Sequence, residues 1–240
     1  MRYLGGKSRI AKQIVEQLPA SEDVGRVYEP FCGGGAVTVA LAQKYGSVQA
    51  SDVHEDLIHM WQSLQEGWEP PTEVSEEDYQ HWRYAEPTTQ EEAALKAFIG
   101  YGCSFGGKWF GGFARGGFNS DGSPRNYQKE SRRNVLRDLW RLNNVTFCTG
   151  DYETLVKARP GDLVYCDPPY EGTTKYKDDF DHERFWNWAN RLADSGVFVY
   201  VSEYNAPEGW TEVWRKEQKL QVKRNDGSPL GTRTERLFTR

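Results

Sequence analysis

The apolar run Asp162-Leu163-Val164-Tyr165-Cys166 stops at Asp167-Pro168-Pro169-Tyr170, and this break constrains the fold more than any other feature of the chain. An apolar run of this length, bounded by a polar turn, reads as a buried strand. Two consecutive prolines cannot continue a sheet ladder, because each lacks a backbone donor while keeping a carbonyl able to accept. One carboxylate, one rigid carbonyl and one aromatic ring therefore meet at a strand end, where an open α/β sheet puts its chemistry. Such a trio suits a flat ring carrying an exocyclic amine: the acceptors hold the amine hydrogens and the aromatic face stacks on the ring. An extrahelical adenine or cytosine has that shape. A strand ending in Asp-Pro-Pro is also an ordinary turn, so the rest of the chain has to decide.

Further strand-like runs occupy 26–31, 47–52, 145–150 and 196–202, with later candidates near 212–215 and 235–239. Amphipathic helical patterns separate several of them. Residues 8–18 carry Ile10, Ile14, Val15 and Leu18 on one stripe; 36–45 carry Val37, Ala40, Leu41 and Tyr45; 182–192 carry Phe185, Trp188, Ala189 and Leu192. Strands alternating with helices predict an α/β fold with a mostly parallel, doubly wound sheet. The alternation is interrupted between about 53 and 144, where helical stretches are expected at 56–65, 92–101 and 130–142, the second opened by a Thr89-x-x-Glu92 capping box. Residues 100–122 hold nine glycines among aromatic and basic residues, a composition suited to a loop that orders on a partner. The expected organisation is a catalytic domain of 1–53 and 145–240 with an inserted, mainly helical recognition lobe at 54–144.

A chain of 240 residues with a formal net charge of −5 does not have the balance of a protein that coats nucleic acid nonspecifically. It still carries a local basic face. Lys108, Arg115, Arg125, Lys129, Arg132, Arg133, Arg137 and Arg141 are interleaved with Trp109, Phe110, Phe113, Phe118 and Tyr127, while acidic residues gather at 73–78 and 178–181. Cysteines 32, 103, 148 and 166 form no Cys-x-x-Cys pair and have no histidine cluster beside them, so free thiols and no metal are expected. No run approaches the roughly 18 apolar residues of a membrane span, and a soluble, cytoplasmic protein (of a host cell, if phage-encoded) is the expectation.

The stretch Val27-Tyr28-Glu29-Pro30-Phe31-Cys32-Gly33-Gly34-Gly35 is a strand followed by a glycine turn, with a helix from Ala36 onward. Backbone amides at such a turn can approach a ligand closely. Asp52, at the end of the next strand, is placed to accept from ribose hydroxyls. Tyr3-Leu4-Gly5-Gly6-Lys7 precedes the first helix, and a lysine held there can grip a carboxylate. Adenosine at one end and an amino-acid carboxylate at the other describe S-adenosylmethionine. No Gly-x-x-x-x-Gly-Lys-Ser/Thr loop occurs, so an NTPase is not indicated.

The order Tyr-Leu-Gly-Gly-Lys, Glu-Pro-Phe-Cys-Gly-Gly-Gly, insertion, Asp-Pro-Pro-Tyr resembles the Dam-like family of DNA adenine-N6 methyltransferases over nearly the whole chain. Residues 98–112 are similar to that family's Phe-Asn-Gly segment and the glycine-rich loop after it, and Gly150-Asp151-Tyr152 to its Gly-Asp-Phe. The resemblance implies a Rossmann-like methyltransferase fold and S-adenosylmethionine contacts by Tyr3, Lys7, Phe31, Gly33, Gly35, Asp52 and Asp167, with Asp151 near the cofactor adenine. Ile99 and Tyr101 stand where the family usually has Asn and Leu, and the insertion is short, so the target motif is not readable.

The chemistry expected of Asp167, Pro168, Pro169 and Tyr170 is methylation of a flipped base in duplex DNA, without metal or covalent intermediate. Asp167 and the Pro168 carbonyl accept the two amine hydrogens and Tyr170 stacks. Lys108, Arg115, Arg125, Arg132 and Arg133 are the candidate DNA contacts. Two alternatives stand beside this reading: cytosine-N4 methylation, whose motif more often begins with Ser, and a noncatalytic DNA-binding module that retains the fold. A cytosine-C5 enzyme needs a cysteine nucleophile, commonly after proline, and no Pro-Cys pair occurs. Restriction, protection and regulation all fit a lone methyltransferase. No extended heptad pattern indicates an oligomer.

Overall fold

The structure is a computed structural model describing residues 1–171, 180–219 and 232–240; Asp178 and Asp179 of the second acidic run lie outside them. A single seven-stranded sheet runs β3-β2-β1-β4-β5-β7-β6. Its strands are β1 (Val27–Glu29), β2 (Val48–Asp52), β3 (Val145–Thr149), β4 (Leu163–Cys166), β5 (Phe198–Glu203), β6 (Thr211–Lys219) and β7 (Thr232–Thr239). The first five pair in parallel, as Val27↔Val48 and Val27↔Leu163 illustrate. β7 runs antiparallel between β5 and β6. The central strands β1 and β4 are buried at every position; β4 reads as an unbroken apolar run, as a doubly covered strand does, whereas β1 carries the buried Glu29.

The helices are α1 (Ala11–Glu16), α2 (Ala36–Lys44), α3 (Glu55–Gln65), α4 (Glu76–Tyr84), α5 (Gln90–Ala97), α6 (Tyr127–Leu139), α7 (Tyr152–Leu155) and α8 (His182–Asp194). One face of the sheet is covered by a cluster that includes Ile14, Leu41, Leu57, Trp61 and Tyr165; the other is covered by Tyr152, Phe185, Trp188 and Val199. Helices on both faces are the doubly wound arrangement. The strand order turns around between β1 and β4, so their carboxyl ends open a crevice. The glycine turn after β1 and Asp167 after β4 lie at that edge.

The larger cluster continues without a break into residues 54–144 through Tyr79, Ala94, Phe98, Tyr101, Phe110 and Val135. α3 itself lies along the sheet edge: the Gln62 side-chain amide donates to Phe147 O at 2.9 Å, and Trp61 stacks on Phe147 at 5.7 Å. The expected helix at 92–101 divides into α5 and a π-helical turn, Phe98–Gly102, all of it buried. Such a turn lets Gly100 pack beneath Trp109, where a Cβ would lie 2.4 Å from Cζ3.

The capping box is displaced from its expected place. Thr89 caps α5 by accepting from Glu92 N, but the Glu92 carboxylate turns to the N–H and hydroxyl of Thr88, both at 2.7 Å. A reciprocal box forms at α4, where Ser75 and Asp78 exchange bonds. That helix begins in the acidic run at 73–78, a stretch that reads in the sequence only as charge.

Candidate active site

The amino-terminal segment is laid between the glycine turn and the loop at Gly107. Leu4 N donates to Gly107 O at 3.0 Å. Gly107 has φ +68°, and a Cβ there would stand 2.7 Å from Tyr3 N, so the segment can approach only a glycine. Tyr3 packs flat on the turn from the other side, since a Cβ on Gly34 would lie 2.5 Å from Tyr3 Cβ. Its ring meets Tyr101 at 4.8 Å.

Gly33 and Gly35 adopt φ +45° and +71°, and a Cβ on Gly35 would press on Trp61 at 2.8 Å. Side chains are thus excluded at the turn by conformation and by space together. Asp52 closes the turn from β2: its carboxylate accepts from Gly33 N and from His54 N, each at 3.0 Å. Burial raises the Asp52 carboxyl above its ordinary range, and these amides oppose the rise. Beneath the turn, Glu29 is 1% exposed with no hydrogen-bond partner for Oε2. Burial pushes its carboxyl well above the usual range, which favours the neutral form.

Phe31 leaves β1 toward Tyr152, Phe180 and Phe185, with ring centroids 5.4, 5.7 and 5.7 Å away. Asp151 caps α7 by accepting from Glu153 N at 2.9 Å and pairs with Arg184 at 2.8 Å. Arg184 was not among the expected site residues; it lies on α8 and rests on the Tyr152 ring at 5.0 Å.

At the end of β4 the Lys7 ammonium lies 2.8 Å from Asp167 Oδ1, 3.6 Å from Glu235 Oε2 and 4.7 Å from the centre of the Tyr170 ring. Lys7 is 5% exposed, so it is a buried counter-ion of the carboxylate. Burial raises the Asp167 carboxyl while the Lys7 charge and hydrogen bond pull it down. The Tyr170 hydroxyl donates to Glu235 Oε2 at 3.0 Å, and its ring meets Tyr204 edge-on at 4.8 Å. Glu203, at the end of β5, accepts from Glu171 N at 2.8 Å and also from Tyr204 N. Its carboxyl is pushed up to about 7 by burial. Glu203 and Glu235 gave no motif signal: one ends a strand and the other begins in a basic carboxyl-terminal run, and only the pairing of β5 with β7 brings them beside the tetrapeptide.

Among the candidate DNA contacts, Arg115 pairs with Glu76 at 2.7 Å, Arg125 forks onto Glu130 at 2.6 and 2.8 Å, and Arg132 is held by Glu69 and by Pro70 O. Arg133 is exposed on α6, where with Lys129, Arg132, Leu136, Arg137 and Thr72 it lines a cavity of about 540 Å³. Lys108 is exposed in the glycine-rich loop. A second concavity, of about 550 Å³, is bounded by Gly25, Arg26, Ser47, Lys157, Arg159 and Asp162. It opens at the amino ends of β1, β2 and β4, the edge opposite Asp167, and is separate from this site. All four cysteines are free, no group that could hold a metal is present among the described residues, and no described helix is long and apolar enough to cross a membrane.

A parallel sheet edged by an antiparallel hairpin, with a glycine turn after β1, an acid closing β2 and Asp-Pro-Pro-Tyr after β4, defines a Rossmann-like methyltransferase that acts on an amino group. The comparisons with known proteins narrow this class. The model of the D12 class N6 adenine-specific DNA methyltransferases matches residues 3–97 and 113–215, and the chain belongs to that family. The interval 98–112, compared above with the Phe-Asn-Gly segment, falls between the two matched stretches.

The chain is 25% identical to the type II methyltransferase M1.LlaDCHI of Lactococcus lactis subsp. cremoris, over 97% of this chain and 90% of that protein. It is 25% identical to the retron Ec67 DNA adenine methylase of Escherichia coli over 87% and 73%, and 26% identical to the type II methyltransferase M.MjaIII of Methanocaldococcus jannaschii over 85% and 84%. The protein is therefore an enzyme of adenine-N6 DNA methylation, and the cytosine-N4 and noncatalytic readings are set aside.

Proposed function

We propose that the chain moves a methyl group from S-adenosylmethionine to N6 of an adenine flipped out of duplex DNA, with Asp167, the Pro168 carbonyl and Tyr170 receiving the base. The observation that carries this reading is the position of Asp167, at the carboxyl end of β4, beside the glycine turn of β1 and against Lys7 at 2.8 Å. The residues present fit the cofactor. The turn at Gly33, Gly34 and Gly35 carries no side chain of its own and is faced by Tyr3 and Trp61, Asp52 lies across it, and the aromatic wall of Phe31 and Tyr152 suits an adenine ring. When bound, S-adenosylmethionine supplies an electrophilic methyl on a sulfonium.

The N6 lone pair is delocalised into the purine ring and must be localised before it attacks. Asp167 accepts one N6 hydrogen and the Pro168 carbonyl the other, which favours the pyramidal nitrogen and stabilises the positive charge that grows on it. S-adenosylmethionine, held by the glycine turn and Asp52, would supply the methyl to N6, its sulfur keeping the carbon–sulfur electron pair. The surplus N6 proton leaves afterwards, so Asp167 need not be a strong base. Lys7 keeps Asp167 ionised in a buried place. Extruding the base costs a few kcal/mol, and Lys108, Arg115, Arg125, Arg132 and Arg133 are the proposed contacts that offset it.

The test is incubation with unmethylated genomic DNA and S-adenosylmethionine, followed by mapping of modified bases by single-molecule sequencing. N6-methyladenine confined to one short motif is the expected product. N4-methylcytosine, or no modification by a protein that binds DNA, would overturn the reading.

A further inference from the structure

Two glutamates from neighbouring strands hold two consecutive residues at the exit of the catalytic tetrapeptide. β5 and β7 pair with Glu203 opposite Arg236, so Glu203 and Glu235 lie one position out of register on neighbouring strands, close to where β4 ends, with their side chains on opposite faces. Glu235, 6% exposed, takes the Tyr170 hydroxyl at 3.0 Å. Glu203, 2% exposed, takes the backbone N–H of Glu171 at 2.8 Å. Both grip the stretch of chain just beyond Asp167.

The need for such an arrangement lies in the tetrapeptide itself. Pro168 and Pro169 have no N–H, so neither can tie the chain after Asp167 to the sheet through an amide. Tyr170 has two side-chain torsions of its own, and a ring that is to stack on an inserted base must not turn. Its hydroxyl is fixed by Glu235, its face by the Lys7 ammonium at 4.7 Å and its edge by Tyr204 at 4.8 Å. Glu235 also stands 3.6 Å from that ammonium, so the same carboxylate orients the stacking ring and shares the cation of Asp167.

Resting on the function proposed above, we infer that Glu203 and Glu235 are positioning residues: a clamp that sets the plane of Tyr170 and the backbone at Glu171, and through them the seat of the target base. Their removal loosens the base site while leaving the glycine turn, Asp52 and Phe31 as they are.

The test measures steady-state methyl transfer to unmethylated genomic DNA, S-adenosylmethionine affinity by calorimetry, and thermal unfolding, for wild type, Glu235→Ala, Glu235→Gln, Tyr170→Phe and the double variant Glu235→Ala/Tyr170→Phe. Glu235→Ala should lower kcat/KM for DNA by about 10- to 100-fold while cofactor affinity stays within about twofold. Glu235→Gln keeps an oxygen that accepts from Tyr170 and should recover most of the loss. If Glu235 acts through the Tyr170 hydroxyl, the double variant is no worse than the more damaged single variant. Multiplying losses, or loss of cofactor affinity in parallel with activity, would overturn the clamp. Should Glu235→Ala not fold, Glu235→Gln and Tyr170→Phe carry the test: activity of the Gln variant below that of Tyr170→Phe would count against it. A wild type that leaves adenine unmodified counts against the proposed function; a methylating wild type with multiplying losses counts against the clamp alone.

Discussion

The ammonium of Lys7 and the carboxylate of Asp167 stand 2.8 Å apart across 160 positions of sequence. Lys7 is buried and Asp167 is mostly enclosed, their side chains 5% and 19% exposed. A buried charge whose partner is removed costs several kcal/mol or changes its protonation state, so the two residues decide together whether Asp167 can accept from an amine. The contact also ties the amino-terminal segment to the centre of the sheet, because Lys7 precedes α1 and Asp167 follows β4.

Lys7→Met should therefore act on the acid side of the pH–rate profile. Lys7 is what pulls the Asp167 carboxyl down against burial, and the ionised form is the one that accepts from N6. Without the ammonium the carboxyl ionises only at higher pH, so the rising limb of kcat/KM against pH moves upward. Rates from pH 5 to 9 check it; an unmoved limb would separate Lys7 from the ionisation of Asp167.

Gly34, in the glycine turn, and Gly46, between α2 and β2, give a contrast. Gly34→Ala places a Cβ 2.5 Å from Tyr3 Cβ, whereas Gly46→Ala meets nothing within 4 Å and has no positive φ. The first should weaken S-adenosylmethionine binding by at least about tenfold and lower Tm, as overpacking costs roughly 1–3 kcal/mol. The second should leave both unchanged or raise Tm slightly. Calorimetric titration and thermal melts of the pair decide whether Tyr3 and the turn form one surface.

Glu203 bears on stability rather than on the acid limb. Its carboxyl ionises at about 7 in the folded protein because of burial, against about 4.3 in an unfolded chain. A raised acid stabilises the fold fully below the unfolded value, and that contribution is lost as pH rises through the folded one. Wild type should thus weaken between about pH 4 and pH 7 from this group, whereas Glu203→Gln does not titrate. The variant should gain on wild type at pH 8 by on the order of 1–3 kcal/mol and lose that advantage near pH 4. Urea midpoints at the two pH values measure it; an equal difference at both would assign no titration to Glu203.

The sheet was legible because parallel, doubly covered strands leave continuous apolar runs, and 163–166 is of that kind. The glycine turn, Asp52 and Asp167 were legible for a related reason: chemistry at strand ends is local in sequence. Glu203 and Glu235 were not, since each becomes part of the site only through the antiparallel insertion of β7 beside β5, a nonlocal event without a sequence signature. α4 was missed although Ser75-x-x-Asp78 carries the capping signal; its helix is mostly polar and shows little apolar periodicity. The reverse error occurred at Thr89, where the box residues are right but Glu92 prefers Thr88. Charge counting likewise could not distinguish a basic residue already held by a carboxylate, such as Arg125, from one that is not, such as Arg133.

That distinction yields a test on DNA. Arg125 is forked onto Glu130 at 2.6 and 2.8 Å, whereas Arg133 is exposed on α6 and makes no ion pair among the described residues. A phosphate that engages Arg133 releases a counter-ion outright; one that engages Arg125 must first compete with a carboxylate. Arg133→Ala should therefore weaken DNA binding uniformly across sequences and lower the slope of log K against log salt by about 1. Arg125→Ala should change that slope by clearly less, and Glu130→Gln, by releasing Arg125, should strengthen binding at low salt. Fluorescence titrations at several salt concentrations measure all three. Equal slopes for the two arginine variants would mean that the intramolecular pair does not withhold Arg125 from DNA.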